Sequence, residues 1–83
     1  MKMRWQHTER SKVDFNSANK QIQSAFEKQA NLLIGNLRHP SLHAKKFDRA
    51  NDIWQARVTG NWRFYFLIQN DCYLILSIKR HPK

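Results

Sequence analysis

Two arginines, Arg57 and Arg63, stand on either side of a Gly60-Asn61 turn signal in the stretch WQARVTGNWRFYF, residues 54–66, and Tyr65, Lys79, Arg80 and His81 follow. Guanidinium forks bind phosphate oxygens in bidentate fashion, aromatic rings take a base by stacking, and an imidazole gives or takes a proton near neutrality. Together these groups suit a phosphodiester backbone with a base to stack upon. The plainer reading of the same residues is a pair of cross-strand surface arginines that stabilise little.

What must position them is a sheet. Segments 53–59, 62–69 and 72–81 are rich in β-branched and aromatic residues, and the links Gly60-Asn61 and Asn70-Asp71 are short enough to favour antiparallel hairpins. Alternate strand residues point to opposite faces, so Trp54, Ala56 and Val58 share one face with Trp62, Phe64, Phe66 and Ile68, and with Leu74, Leu76 and Ile78. Arg57, Arg63, Tyr65, Lys79 and His81 then converge on the other. An antiparallel sheet can keep one face wet, so the arginines need not be buried.

Upstream, Ala18, Ile22, Ala25, Phe26, Ala30, Leu33 and Leu37 recur at three- and four-residue spacing and predict one amphipathic helix over 17–38. Asn16 or Ser17 can cap it, Pro40 forbids its continuation, and Lys20, Lys28 and Arg38 form its solvated side. Residues 3–7 are weakly strand-like and 39–44 read as loop. The expected fold is α+β: a small antiparallel sheet of three to four strands with one or two N-terminal helices packed on one face, in a single domain over residues 1–83.

The whole chain is 83 residues with 15 Lys and Arg against 6 Asp and Glu, a formal charge of +9 that points to a polyanionic partner. The excess leans to the second half: residues 1–37 carry six basic and three acidic groups, residues 38–83 nine and three. The longest apolar runs, 64–68 and 72–76, are five residues each, against the roughly 18 needed to cross a bilayer. No membrane partner is expected. The stretch 2–12 is polar and lacks an apolar core of signal-peptide type. One cysteine, Cys72, excludes a disulfide within the chain and fits a reducing compartment, so the cytoplasm is the expected location.

Residues 42–83, LHAKKFDRANDIWQARVTGNWRFYFLIQNDCYLILSIKRHPK, resemble the RelE/ParE superfamily of bacterial toxin–antitoxin systems. The ordered elements are Lys45-Lys46, Arg57, Gly60, Trp62-Arg63-Phe64-Tyr65 and Lys79-Arg80-His81, and SAFEKQANLLIGNLRHPSL upstream is similar to the family's second helix and following loop. The RelE branch implies a toxin that enters the ribosome and cleaves mRNA as an endoribonuclease, inhibiting translation. A ParE-like branch implies a DNA gyrase inhibitor, and a nucleic-acid binder without chemistry of its own is the remaining alternative.

On the RelE branch the reaction is attack by an RNA 2′-hydroxyl on the adjacent phosphate, which calls for a base, cationic stabilisation of the transition state and an acid for the 5′-oxygen. The resemblance puts the key arginine at Arg57 and a second phosphate clamp at Arg63. It puts the terminal basic group at Arg80 by alignment of the Lys-Arg pair, or at His81 by strand parity. Lys45 and Lys46 supply charge, or a base if desolvated, and Tyr65 and Lys79 contact RNA. RelE itself carries a Tyr after its terminal arginine, which this sequence lacks. The family also implies a cognate antitoxin whose acidic, partly disordered segment covers the basic site, and operator DNA bound only through that complex.

No metal or cofactor is expected. His39 and His43 are four apart, but Pro40 breaks the helical geometry that would bring them together. Cys72 reads as a small semi-buried apolar residue, Trp54 and Trp62 as core, and Trp5 as core or part of a partner groove.

Overall fold

The computed structural model describes residues 2–81; of the domain expected over 1–83, positions 1, 82 and 83 lie outside the described residues. Strand β1 (Arg4–His7) leads into helices α1 (Glu9–Ser17) and α2 (Lys20–Gly35). A single 3-10 turn, Pro40–Leu42, precedes strands β2 (Lys45–Asp48), β3 (Ile53–Thr59), β4 (Trp62–Gln69) and β5 (Cys72–Arg80). All five strands form one sheet in the order β1-β5-β4-β3-β2.

The architecture is α+β with the β3-β4-β5 meander where alternation put it, but the sheet has five strands rather than three to four and is mixed rather than antiparallel. β1 pairs parallel to β5, Arg4 opposite Cys72 through His7 opposite Ile75. β2 forms from residues 45–48, where no strand was expected, pairing Lys45 with Gln55 and Lys46 with Trp54 before a bulge at Phe47. Four residues interrupted by a bulge carry too little alternation to announce a strand.

The helix expected over 17–38 is α2, shorter at both ends (Lys20–Gly35), and a second helix, α1, precedes it. α1 lacks an apolar stripe, and its start is fixed by chemistry instead: the Thr8 hydroxyl accepts from the Ser11 amide (3.2 Å) while the Ser11 hydroxyl accepts from the Thr8 amide (3.1 Å). α1 covers the edge of β5 that β1 leaves bare. There Asp14 Oδ2 accepts from the Ile78 amide at 3.0 Å and Thr8 Oγ1 donates to the Ile75 carbonyl at 2.8 Å. α2 is capped by Asn19, not by Asn16 or Ser17, and ends before Pro40 as required.

The stripe of α2 packs Ile22, Phe26, Ala30 and Leu33 onto Ala56, Val58, Phe64, Phe66, Tyr73, Ile75 and Ile78, with Trp54, Trp62 and Trp5 partly buried at the margin. Cys72 is buried too. Strand parity fails at one place: Tyr65 pairs with Ser77 but Phe66 with Ile75, so Leu76 is an extra residue. Tyr73 and Ile75 therefore join Ile78 in the core, and Leu74 and Leu76, expected there, turn to the open face. Beyond the bulge, Ser77 and Lys79 stay on that open face as alternation requires. Among the described residues no helix is long and apolar enough to cross a membrane.

Candidate functional site

Arg57 and Arg63 are direct cross-strand partners on β3 and β4. Like charges placed opposite each other destabilise a sheet, so the pairing is opposed by electrostatics unless an anion neutralises it. With His43, Ala44, Lys45 and Gln55 they line a hollow of about 360 Å³ whose wall contains no carboxylate. The Nε of Arg57 is buried and has no hydrogen-bond partner among the described residues. A buried guanidinium N–H without an acceptor is costly, about 1–3 kcal/mol or more, and suits an anion arriving from outside. Arg63 is differently employed: its Nη1 donates to the carbonyls of Thr59 (2.7 Å), Trp62 (3.0 Å) and Gly60 (3.3 Å), so one of its nitrogens holds the β3–β4 turn.

What fixes the hollow's two walls is Gln29, the polar member of the buried stripe of α2. Its Nε2 donates to the Arg57 carbonyl (2.9 Å) and to the Ser41 carbonyl (3.1 Å), while the Ser41 hydroxyl donates to its Oε1 at 3.4 Å. One amide thus ties β3 to the 3-10 turn. That turn ends at His43, whose left-handed backbone (φ 47°) redirects the chain toward Lys45 and β2. At the other end, the register shift between Arg57 and Thr59 bends β3 just beyond the arginine.

Tyr65 and Lys79 line a second hollow of about 350 Å³ with Arg10, Phe47, Ile53, Leu76 and Ser77. The Tyr65 and Phe47 rings meet nearly edge to face, 4.9 Å between centroids. The two hollows are contiguous, because Gln55 pairs with Tyr65 and Arg63 with Lys79. Lys46 points elsewhere: its Nζ is 3.0 Å from Asp52 and 5.3 Å from the centre of the Trp54 ring. Arg80 is opposite Trp62 and so on the helix side of the sheet, exposed, whereas alternation from Lys79 puts His81 on the open face. The His81 amide donates to the Asn61 carbonyl at 2.6 Å, seating it beside the β3–β4 turn.

The structure therefore brings together Arg57, Arg63 and Lys45, sets Tyr65 and Lys79 next to them, and does not bring in Lys46 or Arg80. Sequence reasoning missed Gln29, Gln55 and a non-metal place for His43. Gln29 had a signal, a polar residue inside an apolar stripe; His43 had none before the turn was known. Among the described residues no three His, Cys, Asp or Glu cluster as a metal site would need.

No protein-family model matches the chain, and no curated protein sequence matches it. Solved structures do. The toxin–antitoxin complex RelBE2 from Mycobacterium tuberculosis contains a chain of which 100% is matched by 98% of this one, with TM-score 0.79 and 18% identity. The archaeal RelE–RelB complex from Pyrococcus horikoshii gives TM-score 0.81 at 17% identity over 100% of this chain and 99% of that one. The YoeB dimer from Staphylococcus aureus gives 0.80 at 11% identity over 99% and 100%. At these identities the likeness establishes the fold: two helices on a five-stranded sheet, as in RelE-type toxins.

Proposed function

We propose that this chain is the toxin of a type II toxin–antitoxin system, a RelE-like endoribonuclease that cleaves mRNA on the ribosome and arrests growth. The observation that carries this reading is the hollow lined by Arg57, Arg63, Lys45 and His43, together with an Arg57 Nε–H that has no partner among the described residues. A phosphodiester group supplies the acceptors and the negative charge that this cluster lacks. The fold likeness to RelE and YoeB toxins supports the same assignment, as does the +9 charge, and the cytoplasm is where ribosome and message would be met.

In the proposed reaction the 2′-oxygen bonds to phosphorus as the bond from phosphorus to the 5′-oxygen breaks, and the 2′-hydroxyl proton leaves to a base while an acid protonates the departing oxygen. Arg57 stabilises the extra charge on the phosphoryl oxygens, and Arg63 adds a second cation while holding its turn. His81, on the open face, serves as the proton-transfer group, with Lys45 as the other candidate. A cognate antitoxin would bring an acidic segment across this surface, in keeping with the antitoxin complexes among the matched structures.

Primer extension on a translated reporter message after brief induction tests the reading. New 5′ ends inside the coding region that vanish with Arg57→Ala, in a protein that still folds, are expected. Growth arrest with intact message would overturn it and move DNA supercoiling by gyrase to the front.

A further inference from the structure

Two glutamines of this chain are almost equally buried, Gln29 at 6% exposed and Gln55 at 7%. They are used in opposite ways. The Gln29 amide is hydrogen-bonded at both its ends, to Ser41 and Arg57. The Gln55 side chain makes no hydrogen bond to any other described residue and faces into the hollow beside Arg57. A buried amide kept for structure has its partners inside the protein; one kept open at the floor of a binding hollow has a donor and an acceptor to offer a ligand.

We infer that Gln55 reads a nucleobase, and that the base it favours is adenine. The inference rests on the open face being an RNA site, as proposed above. Gln55 lies two residues from Arg57 on the same face of β3, a spacing of roughly 6.6 Å, which is about the reach from a backbone phosphate to the base of the same nucleotide. Opposite it on β4 is Tyr65, whose ring meets Phe47 over the second hollow. A phosphate on Arg57 and Arg63 therefore sends its base across Gln55 toward a hollow floored by Ile53 and Leu76, where the two rings can take its face. A primary amide presents its N–H and C=O side by side, the pattern that matches the N6 amine and N7 of adenine, and single-stranded RNA exposes such edges. On the loop side of Gln55 is Lys45, its β2 partner, which contributes charge but no base-reading pair.

The test is fluorescence anisotropy of the full chain, at one low salt concentration, with a set of 2′-O-methyl tetranucleotides that resist cleavage and differ in one base. The wild type should prefer adenine at one position by roughly 5- to 150-fold over uracil. Gln55→Leu should flatten that preference, leave the uracil affinity within about twofold, and change Tm little, because the Gln55 amide has no hydrogen bond among the described residues to lose and its polar atoms are open to the hollow. Gln55→Glu, nearly the same shape, guards against a packing effect of Leu and should shift the ratio from adenine toward cytosine, whose N4 amine a carboxylate accepts. A wild type without base preference, or a ratio unchanged in both variants, overturns the inference. Arg57→Ala separates the two levels: uniform weakening across the set with the Gln55 ratio unmoved sinks only base reading, whereas undiminished binding by Arg57→Ala sinks the RNA site itself.

Discussion

On the helix-covered face of the sheet, Phe64, Phe66 and Ile75 are completely buried against Phe26 and Leu33 of α2. On the opposite face of the same strands, Arg57 opposes Arg63 and Arg63 opposes Lys79, with the buried Arg57 Nε–H left without a partner among the described residues and the Gln55 amide open to the hollow beside it. The first face is an interior whose cost of ordering is met by apolar burial and ring packing, including an edge-on contact of Phe26 with Phe64 at 5.2 Å. The second face is held in an unfavourable state by the rigidity of the first. A sheet of this size can carry concentrated positive charge on one side because the other side alone keeps it folded.

Removing a ring from the covered face should have the largest effect. Phe26→Ala deletes a side chain with no exposed surface and leaves a cavity between α2 and the sheet. A loss of roughly 3–5 kcal/mol is expected, enough to unfold much of so small a domain, read by urea denaturation. The same truncation at Phe47, 59% exposed on the open face, should cost far less and makes the internal control.

Arg57→Ala should invert that pattern. Stability should hold or rise, since a like-charge pair and an orphaned N–H disappear together, while cleavage falls by about 10²–10³ if the guanidinium stabilises the transition state. A parallel fall in Tm and cleavage would mean that Arg57 is a structural residue.

Much of the covered face was legible in the sequence and much of the open one was not, for a physical reason. Apolar periodicity reports burial, so the stripe of α2 and the rings of β4 declare themselves through spacing alone. It is blind to features set by single hydrogen bonds or bulges. α1 depends on the Thr8–Ser11 capping box, β2 on pairing with β3, and the Leu76 bulge swaps which residues of β5 reach the core. Parity still carried Arg57, Arg63, Tyr65, Lys79 and His81 to one face because the bulge lies upstream of the last two. Gln29 and Gln55 show the limit: two buried glutamines in good strand and helix contexts, told apart only by whether their amides find partners.

Gln29→Met sharpens the boundary between the faces. The apolar replacement fits the stripe but strands the carbonyls of Arg57 and Ser41, so a loss of about 1–3 kcal/mol is expected. Because Gln29 positions the hollow's two walls, affinity for a ribo-oligonucleotide should fall as well, at temperatures where the variant is fully folded. Unaltered affinity in a destabilised variant would show that the walls hold without it.

The smallest effect belongs to pH and to the covered side. The His7 ring stacks on Phe26 at 5.6 Å, and its Nδ1 is 2.6 Å from the Ser11 hydroxyl inside the capping box of α1. Burial pushes its pKa below the ordinary 6.5, Lys12 pushes the same way, and Glu27 opposes them. The unfolded chain then binds the proton more readily than the folded one, so His7 weakens the fold as it charges. Stability should be complete above pH 6.5 and decline as pH falls from there to the lower folded value, by a few degrees of Tm at most in a partly solvated site. His7→Phe keeps a ring against Phe26 and removes the titration, so its Tm should vary less between pH 7 and pH 5 than that of the wild type. Equal slopes in the two proteins would mean that the ring charges in place without strain, and that the covered face is less dry at α1 than its packing implies.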